Sequence, residues 1–398
     1  MTIRLRYGDK EMNRGLPVSA IHLQDILDRM NVQSGREIEF MFSKYDMVDL
    51  PADVLDKWYK ADIYKLNVFA DCFQRLEDHQ KAGFKSVLMR NPDSSIDDMI
   101  AMTYGIDCVP VYPAATYAEI GEVAVDNEML PELEECSDEL IGLLDYEKVG
   151  KLLVERDNGV LMDGYYCLPD SYEEPDIHIT IEVPDKRFFR VLVSPTATTT
   201  DQAQWFSLPE DIRRLREYSA EHNSTPEQMY ITEVESVLPN ITDAAYYEAY
   251  WVEDMIALSE QMTCMSKAQI VKLKAVMEAE NIQTFSGARE AIDCLNEYDF
   301  DPMVQDESQY GKVYACRVFP TNFDWSILEN CDMDDFGKQV LSRKHGVLTE
   351  YGVLSGRGQK LYTTLISESE PMEEKEKLTE DESETEDESE EMSMGGIT

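Results

Sequence analysis

Carboxylates are the most abundant side chains in this sequence that could do chemistry, and one segment holds many of them without a compensating base. Between Arg90 and Lys148 there are 15 acidic residues and no lysine or arginine. Folded surfaces usually mix both signs, because like charges at helical spacing are destabilising. This base-free segment therefore predicts a surface that attracts cationic partners. Apart from Asp107, its acids are the candidate binding residues: Asp93, Asp97, Asp98, Glu119, Glu122, Asp126, Glu128, Glu132, Glu134, Glu135, Asp138, Glu139, Asp145 and Glu147.

Catalytic motifs are missing from the sequence. There is no phosphate-binding G-x-x-x-x-G-K-[ST] loop and no zinc-binding H-E-x-x-H helix, and the five histidines stand apart. One arrangement stays open, in which a fold gathers His178 with Glu173, Glu174 and Asp176 into a carboxylate–imidazole cluster, although such residues also suit a solvated loop. We expect no catalytic residues, no metal and no cofactor.

The amount of charge is large enough to imitate a nucleic acid. The net charge is −44, of which residues 1–185 carry −21, residues 186–365 carry −11 and residues 366–398 carry −12. Duplex DNA has one charge per ~1.7 Å, so the 32 net charges before residue 366 would match at most roughly 54 Å, or about 16 base pairs. Acidity that serves solubility alone is the alternative.

The composition is that of a folded protein in a reducing compartment. Hydrophobic residues make up 43% of the 398 residues, which is ample for packed cores. The eight cysteines are scattered without a C-x-x-C pair and are interpreted as thiols. The start resembles no signal peptide, and no run of 18 apolar residues occurs. These features predict a cytoplasmic protein without membrane contact.

The second half of the chain repeats the first. The segment from Asp145 to Leu161 matches the segment from Asp332 to Leu348 without a gap. Upstream, an apolar stripe at helical spacing occurs twice at a constant offset, and two Leu-Pro pairs also correspond. The stripes are Ile63, Leu66, Phe69, Phe73 and Leu76, then Val252, Met255, Leu258, Met262 and Met265; the pairs are Leu16-Pro17 with Leu208-Pro209 and Leu50-Pro51 with Leu238-Pro239. We expect a first copy over residues 1–185 and a second over residues 186–365.

Each copy mixes strands and helices. Alternating apolar residues predict strands at Ile3 to Tyr7, at Ile38 to Phe42 and at Ile177 to Val183, and the middle of each copy predicts a helix pair. Without βαβ alternation this indicates an α+β fold, which we expect to be an elongated, internally duplicated chain of small subdomains. Residues 366–398 are rich in Glu, Ser, Asp and Thr, which predicts a disordered acidic tail.

Two further expectations concern side chains. The spacing of Leu144, Val149 and Leu152 can anchor a short helix with Asp145, Glu147 and Lys148 outward, although Gly150 weakens a regular helix. Large aromatic side chains are expected in the core. These include the four tryptophans Trp58, Trp205, Trp251 and Trp325.

The segment from Leu144 to Leu152, L-D-Y-E-K-V-G-K-L, resembles the aromatic-acidic motif of the ArdA antirestriction proteins of plasmids, conjugative elements and phages. A weaker version, C-D-M-D-D-F-G-K, runs from Cys331 to Lys338, and residues 100–113 also look like ArdA-like domains. The resemblance is close over about ten residues, and this chain is much longer than a typical member. The matching positions are Asp145, Tyr146, Glu147 and Gly150, with Asp332, Asp334, Asp335 and Gly337 in the second copy.

This resemblance implies a DNA mimic whose carboxylates occupy the DNA-binding cleft of type I restriction-modification enzymes, with no direct binding of nucleic acid. It leaves open whether the second copy inhibits or only assembles, and whether the two copies replace a homodimer or help to form one. A different class of function is a general acidic adaptor or chaperone for basic proteins. An enzyme with an unrecognised site is the third alternative.

Overall fold

A computed structural model describes residues 1–32, 37–133, 136–181, 187–196, 200–241, 251–319 and 325–356. It confirms the α+β class, with helices beside small antiparallel sheets. The expected boundary after residue 185 and the whole acidic tail lie outside the described residues.

The first copy begins with a sheet, continues with three consecutive helices and ends with a helix pair on a smaller sheet. Its elements in chain order are β1 (Thr2–Tyr7), β2 (Lys10–Gly15), α1 (Ala20–Arg29), β3 (Glu37–Phe42), α2 (Ala52–Leu55), β4 (Tyr59–Asp62), α3 (Ile63–Arg75), α4 (Asp78–Arg90), α5 (Ile96–Gly105), β5 (Val111–Pro113), α6 (Tyr117–Asp126), α7 (Asp138–Ile141), α8 (Tyr146–Arg156), β6 (Val160–Met162) and β7 (Tyr165–Cys167).

The second copy repeats this order, but α2, β4 and α7 have no counterparts among its described helices and strands. Its elements are β8 (Phe189–Ser194), β9 (Gln204–Leu208), α9 (Ile212–Glu221), β10 (Tyr230–Ser236), α10 (Trp251–Thr263), α11 (Lys267–Ala279), α12 (Phe285–Cys294), β11 (Tyr298–Asp301), α13 (Glu307–Val318), α14 (Met333–Lys344), β12 (Val347–Thr349) and β13 (Gly352–Gly356). The corresponding Leu-Pro pairs at residues 16–17 and 208–209 lie at the ends of β2 and β9, and both peptide bonds are cis.

The sheets also correspond between the copies. The first sheet has the order β2-β1-β3-β4, and its counterpart has the order β9-β8-β10. The small sheets have the orders β5-β7-β6 and β11-β13-β12. All described pairings are antiparallel. Alternation places Ile3 and Leu5 in the core while Arg4 between them is exposed.

The helices begin at side chains that cap them. Ser95 starts α5 and Ser266 starts α11, each in a reciprocal capping box with the third residue of its helix. The predicted stripe on α3 is buried, as are Val252, Met255, Leu258 and Met262 on α10, whereas Met265 follows α10 and is half-buried. Burying a side chain such as Phe69 contributes roughly 1.5–3 kcal/mol, which is why the stripes, rather than helix propensity alone, hold these helices in place.

The described residues form four apolar cores, two in each copy. The larger core of each copy lies between its first sheet and its three consecutive helices. A smaller core lies beneath each terminal helix pair, around Ile120, Leu153 and Tyr166 in the first copy and around Val340 and Val353 in the second. Each copy is therefore built from two subdomains.

Two sequence expectations were wrong. Residues 177–181 form no strand; Ile179 and Ile181 instead pack against the first large core without joining a ladder. Trp58 and Trp205 are not core residues, because each lies half-buried beneath an arginine, Arg6 over Trp58 at 3.9 Å and Arg190 over Trp205 at 4.3 Å. The side chains of the other two tryptophans lie outside the described part.

Helix α1 of the first copy packs against the second copy. Its Ile21 belongs to the large core of the second copy. Beside it, the ammonium group of Lys274 is fully buried and lies 2.6 Å from Asp28 and 2.9 Å from Asp25. Tyr351 donates a hydrogen bond of 2.7 Å to Asp25. We call these four polar residues, with Arg29, the inter-copy cluster.

Candidate acidic interaction surface

The acids of the base-free segment are carried by α5, α6, α7, the start of α8 and the turns between them. Asp98 is half-buried, and the side chains of Asp138 and Glu139 lie outside the described part, as do Glu134 and Glu135 altogether. The remaining candidates are exposed: Asp93, Asp97, Glu119, Glu122, Asp126, Glu128, Glu132, Asp145 and Glu147.

Several of these carboxylates have partners within the fold. Asp93 pairs with Lys57, and Asp97 pairs with Lys65 at 2.6 Å. Asp98 accepts a hydrogen bond from the backbone N–H of Ser95 at the start of α5. Glu119 accepts one of 2.6 Å from the backbone N–H of Ala115. These four acids help to order the segment, so their charge is only partly available to an external partner.

The residues of the L-D-Y-E motif are structural in a way that their spacing did not predict. Asp145 caps α8 by accepting from the backbone N–H of Lys148, and the hydrogen bonds and charge of Lys148 lower the pKa of this carboxyl. Glu147 pairs with Lys151 at 2.6 Å. In the second copy Asp332 caps α14 likewise, and Lys338 pairs with Asp334 at 2.6 Å. Asp335 accepts from the side chain of Gln339.

Gly150 lies in the middle of a regular helix, although a glycine at this position had weakened the prediction of one. A side chain at this position would overlap the backbone carbonyl of Tyr117 on α6, and one at Gly121 would overlap that of Tyr146 on α8. Gly337 and Gly311 make the same reciprocal approach between α14 and α13. The motif glycine therefore sets how closely the acidic helix α6 packs on α8. Leu152 is exposed, and Leu153 is the residue that anchors α8.

Four exposed acids remain without a salt bridge to any described residue: Glu122, Asp126, Glu128 and Glu132. Glu122 and Asp126 are one turn apart on the outer face of α6, and Glu128 and Glu132 follow in the next turns. Glu122 and Asp126 are at helical spacing and repel each other. Glu132 makes no salt bridge but lies near enough to Arg156 to interact with its charge. We call the four the unpaired acids.

The second copy carries the same helix without this charge. With Gly121 and Gly311 aligned by their matching contacts, Glu119, Glu122 and Asp126 correspond to Gln309, Lys312 and Cys316. The fold is thus compatible with neutral or basic residues at these places. The acidity of the first copy is not a requirement of the architecture.

Comparisons with protein-family models, curated proteins and solved structures gave no match.

The histidine cluster left open by the sequence is not assembled. His178, Glu173, Glu174 and Asp176 are all exposed along one segment. Across the described ranges, no three His, Cys, Asp or Glu side chains are placed to hold a metal ion. The eight cysteines are free thiols. No helix among the described residues is both long and apolar enough to cross a membrane.

The inter-copy cluster was missed by sequence analysis, because nothing in the chain pattern connects residues so far apart. Burial alone would raise the pKa of Asp25, but the charges of Lys274 and Arg29 outweigh it and lower that pKa. Burial and the neighbouring Asp25 carboxylate raise the pKa of Tyr351 far above its ordinary value, so it stays a hydrogen-bond donor. The inter-copy cluster is a group of ion pairs and hydrogen bonds within the fold, and it positions the copies relative to each other.

Proposed function

We propose that the protein is a cytoplasmic antirestriction protein of a mobile element, a DNA mimic whose first copy occupies the DNA-binding cleft of a type I restriction-modification enzyme. The observation that supports this most is the group of unpaired acids, which are exposed and free of salt bridges within the described residues. At the places of Glu122 and Asp126 the second copy has Lys312 and Cys316 instead. The motif resemblance agrees with this function.

Physical chemistry explains why such acids would serve binding. Exposed like charges lower the stability of the free protein, and a cationic cleft would relieve that repulsion. A phosphate-binding cleft supplies lysines and arginines at the spacing of a nucleic-acid backbone. The paired acids of the motif would act mainly by holding α6 and α8 in position. The second copy, which is less acidic, would serve mainly to support the first.

The proposal is tested by displacement of labelled duplex DNA from a type I methyltransferase at low salt. The wild-type chain is expected to compete with DNA. A variant with Glu122→Gln, Asp126→Asn, Glu128→Gln and Glu132→Gln should compete at least about fourfold more weakly, since four ion pairs at an interface rim contribute ~0.2–1 kcal/mol each.

The matched control removes four exposed, unbridged acids from the second copy: Glu290→Gln, Asp293→Asn, Glu297→Gln and Asp299→Asn. Both variants lose four charges, so a general charge effect would weaken both equally. Equal weakening, or failure of the wild type to displace DNA, would refute the proposal.

A further inference from the structure

A stretch of the chain that is poor in acids precedes the acidic tail. Between Asp335 and Glu368 there is one acidic residue, Glu350, against five lysines and arginines. Glu350 is already paired with Arg29 of α1. In a chain of net charge −44, such a stretch is as unusual as the base-free segment. The bases of this stretch that the structure describes all lie on α14: Lys338, Arg343 and Lys344.

The C-terminal end of α14 carries two exposed cations that make no salt bridge to any described residue. They are Arg343 and Lys344, and the exposed His345 follows them at the C-cap of the helix. The side chain of Arg343 donates to the backbone carbonyl of Gln339 in the same helix, at 3.3 Å. We call Arg343, Lys344 and His345 the basic helix end.

The first copy shows that the architecture does not require two cations here. With α8 and α14 aligned at their caps, Lys344 corresponds to Asp157. Asp157 pairs with Arg156 at 2.6 Å, so the charge at this helix end is neutralised within the first copy. Cations at a helix C-terminus favour the helix, but the first copy has Arg156 alone in that role. The basic helix end of the second copy is therefore open to a partner.

The register of the last sheet places the end of the described chain beside the basic helix end. Strand β12 follows α14 directly, and β13 pairs with it antiparallel, Val347 opposite Leu354. Continued by two residues, this register puts Gly356 opposite His345, one strand spacing away. The exposed Asp299 of β11 lies across β13, two strand spacings or about 10 Å from that end. The rest of the chain therefore leaves the fold next to these cations.

The acids of the tail are within reach of this surface. Residues 366–398 hold 14 acids and two lysines, and the first acid, Glu368, is 12 residues beyond Gly356. Twelve extended residues span up to about 40 Å, which far exceeds the distance back to a helix end one strand away. A short tether also raises the local concentration of the partner to the order of millimolar, so that weak ion pairs become populated.

We propose that the acidic tail binds the basic helix end of its own chain. The contact joins two stretches of opposite charge that are neighbours in sequence and in space. It keeps Arg343 and Lys344 from attracting nucleic acid or the unpaired acids of another chain, because a neutralised cation contributes little to the outer field. The inference goes beyond the proposed function and does not depend on it, since the unpaired acids belong to the first copy.

The experiment measures how fast the amine of Lys344 reacts with an uncharged acylating reagent, by mass spectrometry of the labelled peptides. The wild type is compared at low salt with a chain that ends at Leu365. Covering by the tail should slow the reaction of Lys344 at least about twofold, as expected for two exposed ion pairs. Raised salt should remove the difference. Lys338 is paired with Asp334 on the same helix and should react equally in both chains.

A single substitution distinguishes this contact from a general effect of the tail's charge. In the full chain with Arg343→Gln, the tail should cover Lys344 less, so that its reaction rate approaches that of the shortened chain. The matched change Arg213→Gln removes an exposed arginine of α9 in the same copy. It should leave the protection of Lys344 unchanged.

The remaining results would overturn the contact. Equal reaction of Lys344 with and without the tail would show that the basic helix end is not covered. Faster reaction of Lys338 and Lys344 alike after shortening would show that the tail only changes the field around the protein. Protection of Lys344 that grows with protein concentration would show that the acids of another chain bind there instead.

Discussion

At the scale of single residues, the glycines at the helix crossings matter because, having no side chain, they let two helix backbones come into contact. Gly150 and Gly121 allow α6 and α8 to cross with their backbones in contact, and Gly337 and Gly311 do so for α13 and α14. A cap at Asp145 or Asp332 fixes where the second helix of each pair begins. The resemblance to the L-D-Y-E motif therefore coincides with the residues that build a helix pair.

Replacement of Gly150 by alanine should test this role. The new methyl group would overlap the carbonyl of Tyr117, so the helices must separate and the small core must open. We expect the small subdomain to lose roughly 2–4 kcal/mol, as for other overpacked sites with backbone displacement. The measurement is hydrogen exchange across residues 117–156. Gly15→Ala, where a side chain meets open space, should leave exchange unchanged. If exchange across residues 117–156 stays slow in both variants, Gly150 is not needed for the close crossing of α6 and α8.

The acids of the base-free segment were only partly predictable from the sequence. The base-free segment was visible in the sequence, and its described acids are nearly all exposed. Which of them are free was not visible, because the partners of Asp93 and Asp97 are Lys57 and Lys65, contributed by earlier elements. Spacing along one helix also misassigned Leu152, since the crossing of α6 turns Leu153 inward instead.

At the scale of elements, α1 docks on the second copy through charge as well as apolar surface. Lys274 is fully buried between Asp25 and Asp28, and removing one partner from such a group leaves buried charge uncompensated. Apolar periodicity in the sequence predicted the strands β1 and β3 and the helices α3 and α10, because each of them buries one face in a local core. The docking of α1 depends on residues of both copies, and periodicity gives no information on that.

The variant Lys274→Met should therefore be destabilised at neutral pH by about 3–5 kcal/mol. In the wild type the folded-state pKa of Asp25 lies below its ordinary value, so its contribution is present above that value and disappears as pH falls through the folded-state pKa. In the variant the Asp25 carboxylate loses the charge of Lys274, so burial favours its protonated form. The difference in thermal midpoint between the two proteins should consequently shrink as pH falls toward about 4.

The control is Lys344→Met, at an exposed lysine without a salt bridge to the described residues. It should change the midpoint little at any pH. A Lys274→Met penalty that does not vary with pH would mean that lost packing, rather than uncompensated charge, is responsible.

At the scale of the whole molecule, charge is distributed unevenly over the chain. Residues 1–185 carry −21 and residues 366–398 carry −12. A DNA mimic and a general acidic adaptor both predict affinity for cationic partners that falls as salt rises. The two functions differ in the region that provides this affinity: residues 1–185 for the mimic and residues 366–398 for the adaptor.

Ending the chain at Leu365 separates the two functions. If the first copy is the mimic, displacement of DNA from the methyltransferase should stay within about twofold, because the screened charge of a tail adds mainly to encounter rate. If the chain is an adaptor, binding to unrelated basic proteins such as histones should fall strongly. Loss of methyltransferase binding on truncation would contradict the mimic, and calorimetry against both partners measures it.

The position of Ile21 has a consequence for the number of units in an assembly. It lies in the core of the second copy, while its counterpart on α9, Arg213, is exposed. The contact between the copies is thus head-to-tail, a type that can propagate without limit into fibres. A further unit would have to bind through α9, which has arginines where burial would require an apolar residue. At the other end of the pair, Lys85 occupies the place of Lys274, and Asp163 of its own copy already pairs with it. These counterparts of Ile21 and Lys274 are therefore unsuited to repeating the contact with a further unit.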